Sequence, residues 1–66
     1  MKLTINGEQR ELPEPLTAAQ LLDTLGLAGK RLALEVNLEI VPRSQFEQFQ
    51  LQPGDRVEIV QAIGGG

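Results

Sequence analysis

Thr17-Ala18-Ala19-Gln20-Leu21-Leu22-Asp23-Thr24-Leu25-Gly26-Leu27 carries a helix with both of its ends written into it. The Thr17 hydroxyl can accept from a free amide of the first turn, and Gln20 stands three residues on, the spacing of a capping box. Ala18, Leu21, Leu22 and Leu25 recur at helical spacing and form one apolar stripe. Gly26 supplies the left-handed residue that stops the helix, and Leu27 can pack back over the last turn.

Toward the N-terminus, Lys2-Leu3-Thr4-Ile5 alternates polar and apolar residues and predicts a half-buried strand. Asn6-Gly7 tolerates the positive φ angles of a tight hairpin turn, so the return strand runs roughly from Gln9 to Leu12. Pro13 and Pro15 end the pairing, since neither can donate a ladder hydrogen bond. Beyond the helix, Leu32, Leu34 and Val36 alternate with Ala33 and Glu35, which predicts a third strand with an apolar inner face. A turn near Asn37 to Glu39 leads into the short strand Ile40-Val41, closed by Pro42. Ser44 and Glu47 have capping-box spacing and predict one helical turn that carries Phe46 inward. Pro53-Gly54-Asp55 reads as a turn. Arg56 to Ile63 forms the last strand, with Val57 and Ile59 on one face and Glu58, Val60 and Ala62 on the other.

One helix among these strands packs most economically across one face of a mixed sheet of four to five strands. The first and last strands are then parallel neighbours, because the helix carries the crossover between the sheet's halves. This is an α+β fold, the β-grasp architecture of ubiquitin-like proteins. Residues 1–63 form a single domain, and residues 64–66 form a flexible tail.

Bulk properties narrow the function. A chain of 66 residues buries only about 60% of the surface its unfolded form exposes, so its stability margin is thin. It has neither Cys nor His, which removes disulfides and thiolate or imidazole zinc sites, and leaves a carboxylate-only site as an unusual choice. Eleven leucines with Ile, Val and two Phe must supply the core. A net charge of −3, a pI near 4.7 and no Tyr or Trp argue against nucleic acid, which calls for a basic stripe and stacking platforms. No apolar run approaches the roughly 20 residues of a membrane span, and no signal-peptide core opens the chain. The expectation is a soluble, cytoplasmic protein with no membrane and no nucleic-acid partner.

The sequence closes on Gly64-Gly65-Gly66. Glycine packs nothing in a strand and has the highest backbone entropy, so these residues predict an unpaired arm reaching roughly 10 Å past the domain. Without a Cβ, the arm fits a channel too narrow for other residues. Its tip is an α-carboxylate that can be activated as a mixed anhydride. Ordering it costs roughly 3–6 kcal/mol, which docking contacts of the folded body must supply. Terminal glycines are also common in linkers, and composition alone leaves the two readings about even. A phosphate cradle is excluded, because such loops need a following helix.

Three segments together resemble the ThiS family of sulfur carriers. They are Met1 to Gly7; Ala33-Leu34-Glu35-Val36-Asn37-Leu38-Glu39-Ile40-Val41-Pro42-Arg43-Ser44; and Gly54-Asp55-Arg56-Val57-Glu58-Ile59-Val60 followed by Ala62-Ile63-Gly64-Gly65-Gly66. Leu38 stands where many relatives have Gly, which bears on the turn, and Phe46 stands where Trp is common. The resemblance implies that a ThiF-like adenylating enzyme uses ATP and magnesium to adenylate the Gly66 carboxylate. Sulfur from a cysteine-desulfurase persulfide then yields a thiocarboxylate, which a ThiG-like thiazole synthase consumes in thiamine biosynthesis. In that reading the chain binds no cofactor itself. Gly66 carries the group, Gly64 and Gly65 give access, and Val60, Ala62 and Leu38 contribute to an apolar docking patch. Scattered surface apolarity explains the patch equally well.

The same tail chemistry suits a molybdopterin-synthase small subunit or a ubiquitin-like protein modifier, and a binding module with an irrelevant tail is the plain alternative. An enzyme fits worst. Glu8, Glu11, Glu14, Asp23, Glu35, Glu39, Glu47, Asp55 and Glu58 could be paired on paper, but acid–base work at neutral pH wants groups tuned by burial. Most of these fall at turns or on polar strand faces, and Glu8, Glu11 and Glu14 read as a solvated acidic face.

Overall fold

The computed structural model describes residues 1–61. The expected end of the last strand at Ala62 and Ile63, and the Gly64-Gly65-Gly66 tail, lie outside the described residues. Along the chain come β1 (Lys2–Ile5), β2 (Glu8–Glu11), α1 (Ala18–Thr24), β3 (Leu32–Val36), β4 (Glu39–Val41), a 3₁₀ turn (Arg43–Gln45) and β5 (Arg56–Gln61). The strands form one five-stranded sheet in the order β2-β1-β5-β3-β4. β1 and β5 are parallel, and the other pairings are antiparallel. This is the β-grasp arrangement that the element order predicts, with the last strand at the centre.

The helix is fixed locally at both ends. The Gln20 amide donates to Thr17 Oγ1 at 3.1 Å, and the Thr17 amide donates to Gln20 Oε1 at 2.9 Å. Two further first-turn amides, of Ala18 and Ala19, donate at 2.9 Å to the carbonyls of Phe49 and Phe46, so no orphan donor there depends on solvent alone. At the other end Gly26 takes φ 75°. Its amide donates to the Asp23 carbonyl at 3.0 Å, and the Leu27 amide donates to Leu22 at 2.7 Å, the paired bonds of a Schellman stop.

Strand alternation builds the core. Leu3 and Ile5 of β1, Val57 and Ile59 of β5, and Leu34 and Val36 of β3 are buried together with Ala18, Leu21 and Leu22 of the helix. Leu12, Leu16, Val41, Phe46 and Leu51 close its margins. Each fully buried Leu or Val contributes about 1.5–3 kcal/mol. Among the described residues no polar or charged residue is buried. Arg43, from the Val-Pro-Arg segment, donates to the Lys30 carbonyl at 2.9 Å and ties down the loop after the helix.

Some local readings shift. The return strand of the hairpin is Glu8–Glu11, one residue earlier than its pattern suggests, because a two-residue Asn6-Gly7 turn (φ 49° and 83°) pairs Ile5 directly with Glu8. Pairing also places Glu8 on the same face as Ile5 and Glu11 on the same face as Lys2. The three N-terminal glutamates therefore do not share one face, and Glu11 meets the N-terminal ammonium at 3.0 Å. Ser44 and Glu47 form no capping box. Pro42 sits at the cap position without a side-chain bond, and Ser44 lies inside the 3₁₀ turn. Phe46 nevertheless reaches the core as expected.

The β3–β4 turn has a sharper consequence. Asn37 and Leu38 both take positive φ, 52° and 71°. A leucine there sets its Cβ against the backbone, at a cost of about 1–2 kcal/mol. Leu38 is 85% exposed and offsets little of that by packing. Leu38→Gly should therefore raise stability by about 1 kcal/mol, seen as a melting temperature roughly 4–8 °C higher. An unchanged or lower melt would contradict a strained turn.

Candidate functional site

β5 leads to the C-terminal glycines, so its anchoring is the geometry that matters most. β3 pairs with it along its whole length, from Val36 opposite Val57 to Leu32 opposite Gln61. β1 pairs with it only at Thr4–Arg56 and Ile5–Val57. Past that point the chain turns away at Asn6-Gly7. A side chain then continues the ladder: Asn6 Oδ1 accepts from the Ile59 amide at 2.8 Å, and Asn6 Nδ2 donates to the Ile59 carbonyl at 3.2 Å. A second left-handed asparagine treats the start of β5 alike. Asn37 Oδ1 accepts from the Arg56 amide at 3.0 Å, and its Nδ2 donates to Asp55 Oδ1, also at 3.0 Å. A groove of about 570 Å³ opens beside the end of β5, with Leu25, Leu27 and Ile59 among its apolar lining and Glu8 and Arg10 among its polar lining.

The sheet face away from the helix carries the other candidate feature. Val60 is 64% exposed, beside Ala33 across the ladder. Ile40, 72% exposed, lies opposite Glu35, whose other neighbour across the sheet is Glu58. Leu38 does not join Val60, since at least three residues of β3, roughly 10 Å, separate it from the Ala33 row. Ala62, Gly64, Gly65 and Gly66 lie outside the described residues. Sequence reasoning missed Ile40, because only the β3–β4 register turns it outward. It also missed the Glu35–Glu58 juxtaposition, for which pairing is again the only signal.

Glu35 and Glu58 oppose each other, and neither forms an ion pair among the described residues. Like charges facing across a ladder are destabilising. Among the described residues no three of His, Cys, Asp and Glu cluster to hold a metal, and no helix is long and apolar enough to cross a membrane. The geometry thus provides a held stretch of β5 with a groove beside it on the helix side, and an exposed apolar and acidic face on the other side of the sheet.

The ThiS family model matches residues 3–66, through the final glycine. The chain belongs to the ThiS family. This ThiS-family chain is 33% identical over all 66 residues to the sulfur carrier protein ThiS of Escherichia coli, and each covers the other completely. It superposes on the crystal structure of the thiamine biosynthesis protein ThiS from Geobacter metallireducens with a TM-score of 0.86, at 33% identity and full coverage of both. It is also 48% identical along its whole length to a thiazole synthase of Paramagnetospirillum magneticum, of which it spans 20%. Its fold and sequence pattern are therefore those of a ThiS protein.

The glutamate pair has a stability signature. Glu35→Lys replaces a repulsion with an attraction opposite Glu58 and should stabilise the fold by about 0.2–1 kcal/mol. That gain should shrink as salt is raised from 0.01 M to about 1 M, because Glu58 is exposed and Glu35 only half-buried. A destabilised variant would mean that Glu35 has a structural partner.

Proposed function

We propose that this chain is a sulfur carrier of thiamine biosynthesis that works through the carboxylate of Gly66. A ThiF-like enzyme with ATP and magnesium joins that carboxylate to AMP and releases pyrophosphate. The terminal sulfur of a persulfide, charged by a cysteine desulfurase, attacks the acyl carbon and AMP leaves. A thiol then cleaves the S–S bond, leaving the thiocarboxylate on Gly66. A ThiG-like thiazole synthase takes up the sulfur. The chain is substrate and carrier in these steps, and the catalysis belongs to its partners.

The observation that carries this reading is the family match running through Gly66, on a chain whose central strand is the one that leads toward that residue. Gly64 and Gly65 lack a Cβ that would meet the walls of a narrow channel. Val60 and Ile40, with Ala62 two residues further along the sequence from Val60, offer apolar contact to the adenylating enzyme. Leu38 adds contact at the far end of that face. Glu35 and Glu58 favour a partner surface bearing arginine or lysine, since complementary charge guides docking. The thiazole synthase that contains a segment 48% identical to this chain supports a thiazole synthase as acceptor.

The intact mass of the chain purified from its own host tests the class. The expected result is a population in which sulfur replaces one oxygen, mapped to the C-terminal peptide. Isopeptide remnants of the tail on other proteins would favour a modifier instead. Deleting Gly66 should abolish sulfur transfer while leaving the melt unchanged. Equal melts with undiminished thiazole formation by the truncated chain would refute the proposal. Gly65→Ala should slow ATP–pyrophosphate exchange. Val60→Asp should weaken association with the adenylating enzyme yet move stability by less than about 0.5 kcal/mol, as exposed substitutions do.

A further inference from the structure

We infer that Asn6 is a positioning residue for the carrier's working end: its side-chain amide fixes the course of β5 from Ile59 to Gln61, the stretch from which the chain runs on to Gly66. This rests on the carrier reading above and adds a part to it. In a parallel ladder every second residue of a strand offers both its amide and its carbonyl to the same neighbour. Ile59 does so toward β1, but β1 has ended, and the Asn6 carboxamide meets both groups, at 2.8 and 3.2 Å. Asparagine suits this position twice over. It tolerates the left-handed φ of 49° that starts the hairpin turn, and it carries one acceptor and one donor at the spacing of a peptide group.

The consequence is mechanical. Without Asn6, β5 beyond Val57 is held on its β3 side alone. A strand secured on one edge can twist or splay about that edge. An angular error at Ile59 is passed on to Val60 and Gln61 and shifts the point from which the chain must enter a partner's active site. A displacement of about 1 Å at a reacting group can cost about 100-fold in rate. Asn37 provides the internal comparison. From the same kind of turn it accepts from the Arg56 amide, at the entry of β5, and it donates to the Asp55 carboxylate. Losing Asn37 also removes two side-chain bonds and leaves Ile59 to Gln61 held as before.

The test uses the full chain with Asn6→Gly and, in parallel, Asn37→Gly. Both keep a residue suited to positive φ, and both delete two side-chain bonds, so both should lower the melt comparably. The chain has no cysteine, so spin labels can be placed cleanly at Asp23→Cys on the helix and at the exposed Gln61→Cys on β5. The label-to-label distance distribution should broaden or shift in Asn6→Gly and keep its wild-type form in Asn37→Gly. In ATP–pyrophosphate exchange with the host's ThiF-like enzyme, Asn6→Gly should lower kcat by about 10- to 100-fold. Its KM should stay within about twofold of wild type, because the docking face is untouched. Asn37→Gly should change neither parameter. Matching distance distributions in the two variants, or a kcat loss shared by both, would overturn the role of Asn6. If the wild-type chain supports no exchange, the carrier reading fails, and the label distances still decide what Asn6 does.

Discussion

β5 must satisfy two opposing requirements. It is the central strand, with Val57 and Ile59 buried under the helix, and it is also the strand that ends nearest the C-terminus. A central strand is normally paired on both sides to its end, whereas a strand that hands its last residues to another protein, as proposed for this chain, cannot be. The register resolves this by asymmetry. β3 pairs as far as Gln61, β1 stops at Val57, and a single carboxamide bridges the gap at Ile59. The rest of the fold follows from keeping β5 central. The hairpin β1–β2 and the antiparallel β3–β4 flank it, and the helix crosses between them to cover the one face where leucines and valines collect.

With no disulfide and a small core, such a body has little stability to spare. It is spent where rigidity is needed. The helix termini are closed by side-chain and backbone partners, the apolar interior admits no polar residue among those described, and Arg43 ties the loop after the helix to the segment beyond β4. A rigid body lowers the entropy to be lost on docking, which leaves more of the contact energy for threading and ordering the glycines.

Legibility in the sequence tracked the range of the interactions. The helix from Thr17 to Gly26 could be read in full because its cap, stripe and stop lie within eleven residues. The hairpin was readable from Asn6-Gly7, and the strand phases of β3 and β5 from alternation; together these gave the β-grasp. Ser44 and Glu47 misled because spacing alone says nothing of where a helical turn begins, and Pro42 had already set that. Asn6 looked like a turn residue and nothing more, since its partner is 53 residues away. Ile40 and the Glu35–Glu58 pair were invisible for the same reason: a face is defined only once register joins three strands. In the candidate site, the exposure of Val60 could be read from the chain itself, while the Asn6 bonds that hold its strand could not, and the glycines lie outside the described residues.

The local conflicts are unevenly distributed, and their distribution carries meaning. Sequences that fold well tend to agree with themselves at every level, and departures gather where function overrides stability. On the helix side no comparable conflict is found among the described residues: apolar side chains are buried and the helix ends are satisfied. The opposite face and its turn hold opposed glutamates, two large aliphatic side chains in water, and a leucine at positive φ. Each would be improved for stability by a simple replacement. Their concentration on one side, alongside the strand that leads to Gly66, is what a surface shaped by a partner looks like. A binding module with an irrelevant tail would explain the exposed face but not why the Ile59 backbone, at the exit toward that tail, is held by a side chain recruited from the other end of the chain.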